Sequence, residues 1–311
     1  MKTSSAKKKI AVVGSANTDM VIRLARIPRP GETVLGGDFL MAAGGKGANQ
    51  AVAASRAGGD ITFIARVGDD QFGRQAVAGF VRDRIRIKYI IRDQKAPSGV
   101  ALIFVAPDGE NSIAVASGAN ANLSVPDIRR ARSVIAEADV LLMQLETPMK
   151  TVQEAARIAS EAAVPVVLNP APAQPLNDEL LHHITVLTPN ETEAELLSRI
   201  RIAGRSDLRR AADRLLGKGV KAVLITLGAK GVYVAEGKKR DFVPSFKVKP
   251  VDTTAAGDAF NGALAVALAE RRPLLQAVRF ACAAAALSTT RYGAQPSLPT
   301  RRKIEKILVC K

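Results

Sequence analysis

Short apolar runs alternate with longer segments of helical periodicity from about residue 125 to the end of the chain. Val140–Leu145, Val164–Leu168 and Ala222–Thr226 are runs of the kind that form buried strands. The segments between them repeat apolar residues every three to four positions, which indicates amphipathic helices. The alternation predicts an α/β fold of three layers, α/β/α, with a mostly parallel central sheet.

The other predicted elements extend this arrangement towards both ends of the chain. Further strands are predicted at Ile10–Gly14, Ile61–Val67 and Thr185–Leu187, with a hairpin of Val232–Ala235 and Asp241–Val243. Helices are predicted at Ala48–Ala57, Gln71–Arg84, Val125–Ala138, Thr147–Ala163, Glu191–Ser198, Ser206–Gly217, Ala259–Arg271, Leu274–Thr290 and Thr300–Leu308.

Two regions of mixed polar and apolar residues do not fit the alternation. Val21–Leu24 and Thr33–Met41 have the pattern of exposed strands, and Ser98–Val105 pairs with Ser112–Ala116 across a turn at Pro107-Asp108-Gly109-Glu110. These pieces predict a small separate β layer, inserted at about residues 17–43 and 98–117 of a single domain spanning residues 1–311.

The composition is that of a globular protein without a disulfide framework. Of the 311 residues, 47% are hydrophobic and 24% charged, while aromatics make up only 4%, so the core must consist of Ala, Val, Ile and Leu. Two cysteines suit a reducing compartment. No apolar run approaches the roughly 18 residues of a membrane span. We therefore expect a soluble cytoplasmic protein.

A formal net charge of +16 raises the possibility of a nucleic-acid partner. The basic residues are spread over Lys7–Lys9, Arg82–Arg92, Arg199–Arg210 and Arg301–Lys306. None of these segments is interleaved with a set of aromatic residues for base stacking, which argues against single-strand recognition. Solvated helix faces explain the charge better, and nucleic-acid binding is retained as the alternative from another functional class.

The first candidate site is a turn of small residues that leads into a predicted helix, Val251–Phe260. Backbone N–H groups at a helix N-terminus bind anions, and Asp258 in the first turn could accept a proton from a hydroxyl. Such an arrangement suits phosphoryl transfer, which depends on positioning and electrostatics. From spacing alone, an acid that merely stabilises the helix start is an equally good explanation.

Two further glycine-containing turns carry polar side chains. Gly44–Gln50 is not a P-loop, because Leu40 stands where a glycine is required, and Gly14–Asp19 lacks the dinucleotide-binding pattern. Asn17 and Asp19 are two apart, so on an extended segment both face one side and could bind adjacent sugar hydroxyls. An ordinary Asx turn and a flexible turn before a helix are the alternative explanations.

Polar residues lie at or just beyond the ends of four of the predicted strands. They are Gln144 and Glu146, then Asn169, then Asn190, and finally Thr226 with Gly228. In open α/β sheets, ligands bind beyond the carboxyl ends of the strands. Four polar strand ends therefore predict a binding edge.

In combination these motifs resemble the ribokinase-type carbohydrate kinases, the family that also contains adenosine kinase and fructokinase. The resemblance runs from about Val12 to Pro299. It is carried by Gly44–Gln50, Asn169–Pro172, Thr188–Glu193, Thr226–Gly231 and Asp252–Asn261.

The resemblance implies a role for each matching position. Asp258 corresponds to the catalytic base, and Ala255, Ala256 and Gly257 to the backbone anion hole. The sugar-binding positions are Asn17, Asp19, Gly45, Lys46, Asn49, Glu146 and Asp258. The nucleotide-binding positions are Asn190, Thr226, Gly228, Lys230, Gly231, Gly257 and Cys282.

The resemblance also implies two kinds of cation. Asn190 and Glu193 match the motif that organises Mg²⁺ through water, and an activating monovalent cation, usually K⁺, is implied at Asp252, Thr254, Ser288, Arg291, Gly293 and Ser297. Two positions depart from the wider pattern. Cys282 stands where some members have histidine, and Ala255 where the wider family has glycine.

The implied reaction is ATP-dependent phosphorylation of D-ribose at O5, giving D-ribose 5-phosphate and ADP. Asn17–Asp19 and Gly45–Asn49 favour a furanose with vicinal hydroxyls, and a kinase for 2-deoxyribose or a ketohexose is the alternative within the class. The small β layer is implied to be a lid over the sugar and the contact of a homodimer.

Overall fold

The computed structural model describes residues 7–108 and 110–309, and it contains two β-sheets with helices around the larger one. The strands in this part of the chain are β1 Lys9–Val13, β2 Asn17–Arg23, β3 Phe39–Gly44, β4 Asp60–Gly68, β5 Arg86–Asp93, β6 Gly99–Val105, β7 Asn111–Ala116, β8 Val140–Met143, β9 Val166–Leu168, β10 Val186–Leu187, β11 Ala222–Thr226, β12 Gly231–Glu236 and β13 Lys239–Pro244.

The helices follow the same chain order. They are α1 Lys46–Arg56, α2 Gln71–Arg82, α3 Val125–Arg130, α4 Arg132–Ala136, α5 Met149–Glu161, α6 Asp178–His182, α7 Glu191–Ser198, α8 Arg205–Gly217, α9 Ala256–Ala269, α10 Leu274–Ser288, α11 Ala294–Ser297 and α12 Arg301–Val309, with short 3₁₀ turns at Gly118–Asn122 and Gly228–Lys230.

The larger sheet has the order β13-β12-β11-β10-β9-β8-β1-β4-β5 within the described residues. Its neighbouring strands pair in parallel from β5 to β11, and only β12 runs antiparallel to its neighbours. The predicted mostly parallel central sheet is confirmed. The edge strand β5 was not predicted, because it alternates basic and partly buried apolar residues and lacks a continuous apolar run.

Helices cover both faces of this sheet, as the alternation predicted. On one face α1, α9 and α10 contribute to a core in which Val12, Phe63 and Leu264 are fully buried or nearly so. On the other face α5 and α8 pack over a second core that includes Leu141 and Val223. Both cores consist mainly of Ala, Val, Ile and Leu, which agrees with the low aromatic content.

The smaller sheet has the order β3-β2-β6-β7. Asn17 pairs with Gly44 and Asp19 with Ala42, so the two polar side chains of β2 lie on one face of the sheet. This confirms the predicted separate β layer. The predicted strand Thr33–Met41 is wrong over its first six residues: the strand begins only at Phe39, after a loop in which Gly36 and Gly37 have positive φ.

Three other differences concern local structure. The predicted helix Val125–Ala138 is two short helices, because the chain forms a turn at Ala131, outside the helical φ/ψ region. Helices α6 and α11, of five and four residues, were not predicted because they are too short for a periodic signal. Of the predicted turn at Pro107–Glu110, Gly109 lies outside the described residues.

None of the helices in the described part of the chain combines the length and apolar character that a transmembrane span needs.

Candidate active site

The polar strand ends lie side by side at one edge of the central sheet. Strands β8, β9, β10 and β11 are consecutive neighbours, and Asn190 forms a bridge with Thr226 just beyond them. The Asn169 side chain donates to the carbonyl of Thr188 at 3.3 Å. The predicted binding edge is therefore a continuous surface, because parallel neighbouring strands end on the same side.

Asp258 is the centre of this surface. It is the third residue of α9, and its side chain is buried. Its Oδ2 accepts a hydrogen bond from Asn49 Nδ2 at 3.0 Å, and its Oδ1 accepts one from Gln50 Nε2 at 2.9 Å. Contacts with another helix distinguish it from an acid that only stabilises a helix start.

Opposing effects act on the Asp258 carboxyl. Burial raises its pKa most strongly, and the negative charge of Glu146 raises it further. The positive charge of Lys46 and the amide donors of Gln50 and Asn49 lower it. The pKa of the carboxyl is therefore raised overall, while Lys46, Gln50 and Asn49 are the partners that favour its ionised form.

The turn before Asp258 presents backbone donors. Ala255 adopts a left-handed conformation with φ 58°, and helix α9 begins at the next residue. The N–H of Ala256 donates to the carbonyl of Thr253 at 3.2 Å, whereas those of Ala255, Gly257 and Asp258 have no protein acceptor within the described residues. Such a turn is suited to bind anionic oxygens.

Two cavities meet at this turn. A cavity of about 180 Å³ is lined by Lys46, Asn169, Asn190, Glu193, Asp258 and Asn261, among others. A cleft of about 470 Å³ lies on the other side, with Phe246, Phe260 and Cys282 in its wall. Thr226, Thr253, Ala256 and Gly257 line both. A ligand in the cleft could therefore extend an anionic group towards Asp258.

The structure gathers most of the proposed nucleotide-binding residues in the cleft. Its walls include Thr226, Gly228, Gly231, Gly257 and Cys282. Burial raises the pKa of the Cys282 thiol to about 12, so it is uncharged at neutral pH.

Two of the proposed nucleotide-binding residues lie elsewhere. Asn190 lines the smaller cavity, and Lys230 is exposed on the 3₁₀ turn rather than in the wall of the cleft. The loop 245–250, which forms one side of the cleft, was not identified from the sequence. The opposite wall is formed by one face of α10 and its C-cap. Helical spacing of Cys282, Ala285, Ala286 and Thr289 is a signal that could have identified it.

The proposed sugar-binding side chains converge from the small sheet and from α1. A side chain on Gly44 would meet the carboxylate of Asp19, so the missing Cβ makes room for it. Asn17 Oδ1 accepts a hydrogen bond from Asn120 at 2.7 Å. Burial, followed by the charges of Glu146 and Asp258, raises the pKa of Asp19 to about 6.

Glu146 ties two glycine-rich turns together. Its Oε2 accepts hydrogen bonds from the hydroxyl of Ser15 and from the backbone N–H of Lys46 at 3.0 Å. Gly45, which has φ 86°, precedes α1 at this point. Glu146 therefore holds the two turns together, and Asn49 of the second turn contacts Asp258 directly.

Asn190 and Glu193 have a structural contact in addition to any ligand. Asn190 Oδ1 accepts from the N–H of Glu193 at 2.8 Å, and Glu193 Oε2 accepts from the N–H of Asn190 at 2.9 Å, which forms a capping box at the start of α7. Burial raises the pKa of Glu193. Glu193 also lines the smaller cavity.

No group of three His, Cys, Asp or Glu side chains suited to a metal ion occurs in residues 7–108 and 110–309. A single carboxylate beside an anion-binding turn fits Mg²⁺, which typically binds one or two carboxylates together with substrate phosphates. The donors at this edge therefore fit Mg²⁺ that arrives with a phosphate ligand.

The residues proposed for a monovalent cation lie on the loop before α9 and on the segment from the end of α10 to the end of α11, and the two segments contact each other. Asp252 Oδ1 accepts from the N–H and hydroxyl of Thr254 at 2.8 and 2.6 Å, and Oδ2 accepts from the N–H of Gly293 at 2.8 Å. The buried hydroxyls of Ser288 and Ser297 donate to local backbone carbonyls. Arg291 is exposed at the surface. The loop 251–254 leads directly into the anion-binding turn.

Several buried polar residues of the site were not assigned a role from the sequence. They are Ser15, Gln50, Asn120, Gln144, Thr188 and Asn261. Thr188 donates to Asn261 Oδ1 at 2.6 Å, and Asn261 Nδ2 donates to the carbonyl of Gly257 at 2.9 Å. Gln50 and Asn261 lie within sequence motifs, but only the contacts between elements identify their partners.

Comparisons with known proteins agree on one family. Residues 7–301 match the model of the pfkB family carbohydrate kinases. Ribokinase from Haemophilus influenzae is 47% identical over 302 residues, covering 97% of this chain and 99% of that protein. Ribokinase from Bacillus subtilis is 41% identical over 301 residues, with coverage of 97% and 99%.

A solved structure gives the same result for the fold. Arabidopsis thaliana ribokinase complexed with ribose and ATP superposes with a TM-score of 0.90 at 33% identity, covering 98% of this chain and 99% of that one.

Proposed function

This chain belongs to the pfkB family of carbohydrate kinases, and we propose that within it the protein is a ribokinase that transfers the γ-phosphoryl group of ATP to O5 of D-ribose. The likeness to ribokinases extends over nearly the whole length of both chains. The observation that carries the proposal is the buried Asp258 carboxylate in the wall of the smaller cavity, beside the turn at which the two cavities meet and whose N–H groups lack a protein acceptor in the described residues.

The proposed reaction uses Asp258 as general base. Its carboxylate accepts the proton of the O5 hydroxyl as the oxygen forms a bond to the γ-phosphorus, and the bond from that phosphorus to the leaving oxygen of ADP breaks. The negative charge on the transferred group is stabilised by the N–H groups of Ala255, Gly257 and Asp258, and by Lys46 in the smaller cavity.

The remaining roles are proposed from the positions of the side chains. Asn17, Asp19, Gly45, Asn49 and Glu146 would hold the sugar, and the cleft beneath α10 would hold the nucleotide. Mg²⁺ held near Asn190 and Glu193 would neutralise phosphate charge when bound. We propose that the segments 251–254 and 288–297 hold the activating K⁺ through Asp252 and backbone carbonyls.

The experiment that tests this function is ADP release from Mg·ATP over a sugar panel, with and without K⁺. D-ribose is expected to give the highest kcat/KM against 2-deoxyribose, fructose, tagatose and adenosine, with product NMR showing phosphate on O5. Turnover with another sugar would keep the mechanism and change the substrate. Absence of turnover by folded protein with every sugar would reject the proposal.

The second hypothesis, nucleic-acid binding, gains little support from the distribution of charge. β5 lies at one edge of the central sheet, α8 packs near the opposite edge, and α12 contacts α10, so the basic segments do not form one stripe. Arg86, Arg210 and Arg301 are each paired with a carboxylate. If the protein does not shift DNA or RNA in a mobility shift assay at about 0.15 M salt, this hypothesis is rejected.

The proposed sugar contact of Asp19 predicts a pH dependence. Because its pKa is raised to about 6, the carboxylate is ionised above that pH and becomes protonated below it, where it accepts hydrogen bonds from sugar hydroxyls less well. The KM for ribose is expected to rise as the pH falls from 7.5 to 5, with a much smaller change for ATP. Steady-state kinetics at both pH values measure this change.

The variant Asp19→Asn is the control for this titration. It should have a raised KM for ribose at pH 7.5 that changes little towards pH 5, because the titrating group has been removed. A wild-type KM for ribose that is constant across this range, or an unaltered pH dependence in the variant, would contradict the assignment of Asp19.

We propose that the small sheet is the lid over the sugar and the contact of a homodimer. Large apolar side chains are exposed on its strands, at Phe39, Leu40, Met41, Leu102, Ile113 and Val115. Such a concentration of exposed apolar groups is typical of an interaction surface. The division into one domain with an inserted lid, and the cytoplasmic location, stay predictions.

Sedimentation equilibrium tests the dimer. The chain of 32.8 kDa is expected to sediment with twice that mass, and Ile113→Lys to shift it towards the monomer, because a charge in an apolar contact is costly to desolvate. Val81→Lys, at an equally exposed apolar position on α2, is the matched control and should leave the mass unchanged. A monomeric wild-type chain would reject this contact.

A further inference from the structure

The side chain of Gln50 is fully buried and joins four elements of the fold at one amide. Its Nε2 donates to Asp258 Oδ1 at 2.9 Å and to Asn169 Oδ1 at 3.0 Å. Its Oε1 accepts a hydrogen bond from Gln144 Nε2 at 2.5 Å. Gln50 belongs to α1, Asp258 to α9, and the other two residues follow β9 and β8.

We infer that Gln50 is a positioning residue for the phosphoryl-transfer reaction, which orients the Asp258 carboxylate and stabilises its ionised, proton-accepting form. The inference rests on the proposed function for the reaction that it serves. It requires that the nitrogen of the Gln50 amide, and not its oxygen, faces the carboxylate.

Gln144 provides that orientation. Because its amide nitrogen donates to Gln50 Oε1, the nitrogen of Gln50 points towards Asp258 and Asn169, both of which accept. Gln144 is itself fully buried, and its Oε1 has no partner in the described residues. Replacing Gln144 should weaken the effect of Gln50 without removing the donor.

The two oxygens of Asp258 have different partners. Oδ2 accepts from Asn49, one of the proposed sugar-binding residues, whereas Oδ1 accepts from Gln50, which lies behind it among buried side chains. A carboxylate held through Oδ1 leaves a lone pair on Oδ2 for the proton of the sugar hydroxyl. We therefore assign to Gln50 the orientation of the base rather than contact with the substrate.

The charge surroundings of Asp258 make this donor important. Glu146 beyond β8 raises the pKa of Asp258 in addition to burial, and the Asp19 carboxylate on β2 is also close enough to interact with it. Glu193 on α7 lines the same cavity. Lys46 on α1 is the positive group that opposes them. The amide donors are the remaining partners that favour the ionised form.

The test is Gln50→Met, which keeps an unbranched side chain of similar length and removes the donor. Loss of a hydrogen bond to a charged group destabilises the ionised carboxylate. The acid limb of the kcat–pH profile should therefore move to higher pH by about 1–2 units. Activity below pH 7 should fall about 10-fold or more and recover at high pH, while the KM values for ribose and ATP change little.

Two controls separate this role from a structural one. Val52→Ala removes buried methyl groups from the same helix and should lower the thermal stability without moving the acid limb. Gln144→Met should move the limb in the same direction by a smaller amount, and it provides the test if Gln50→Met does not fold. A uniform loss of activity at every pH, with the limb at its wild-type position, would overturn the inference.

A second readout does not depend on activity. In protein labelled with ¹³C at the aspartate carboxyl carbons, the signal of Asp258 is identified by its absence in Asp258→Asn. Its titration should move to higher pH in Gln50→Met than in wild type. If the wild-type chain phosphorylates no sugar, the proposed function fails, and this titration still decides the effect of Gln50: an unchanged midpoint overturns it.

Discussion

Asp258→Asn is expected to lower kcat for ribose phosphorylation about 10²–10⁴-fold, the usual loss when a positioned general base is removed. The variant keeps the size and polarity of the side chain, and an amide can still contact Asn49 and Gln50. It cannot accept the proton of the sugar hydroxyl. The KM values for ribose and ATP should therefore change much less than kcat.

Calorimetric binding of ribose and of an ATP analogue provides the control for this loss. Both ligands should bind Asp258→Asn with near wild-type affinity, and circular dichroism should show folded protein. Burial disfavours the charged carboxylate, so replacing it with an amide is not expected to lower the free energy of unfolding. Near wild-type turnover in the variant would show that another group accepts the proton.

Gly47→Ala is expected to lower turnover about 10²-fold, because misplacement of a catalytic constellation by roughly 1 Å has costs of this size. A Cβ on Gly47 would lie 2.4 Å from the backbone nitrogen of Ser15 and 2.6 Å from the carbonyl carbon of Gly14. Both are backbone atoms, so α1 must move away from the turn after β1. That movement displaces Asn49 and Gln50 from Asp258.

Gly217→Ala is the matched control, since an added Cβ there meets nothing within 4 Å. Denaturant unfolding should show a loss of about 1–3 kcal/mol for Gly47→Ala, as for other overpacked sites, and none for Gly217→Ala. Equal effects of the two substitutions on kcat and on stability would contradict the close-packing explanation. The Gly47→Ala substitution thus tests whether the missing side chain at this position allows α1 to pack closely against the turn after β1.

Much of the fold could be predicted because its signals are local. The apolar run of β11 and the helix α7 were predicted with the bounds that the structure shows. Helix α7 was predictable because its start is fixed by local contacts between side chain and backbone: Asn190 and Glu193, three residues apart, form its capping box. Strand β5 was missed, since its side chains are only half buried at the sheet edge.

The candidate site could be predicted in part for the same reason. Glycine turns and polar strand ends are visible along the chain, and their order led to Asp258, Asn49 and Glu146. The contacts of Gln50 could not be predicted, because its partners lie 94, 119 and 208 positions away. The cleft wall at Phe246 lies in a loop with no periodic signal, so only packing revealed it.

The alternation of strands and helices, the separate β layer and the motifs that carry the family resemblance follow from the order of the amino acids alone. These depend on side-chain type and on neighbours within a few residues, where helix capping and burial patterns act. The donors that hold the Asp258 carboxylate, and the meeting of two cavities beside it, became visible only in the folded chain. Those features arise where distant segments pack together, and burial there determines the strength of each hydrogen bond and the pKa of each carboxyl.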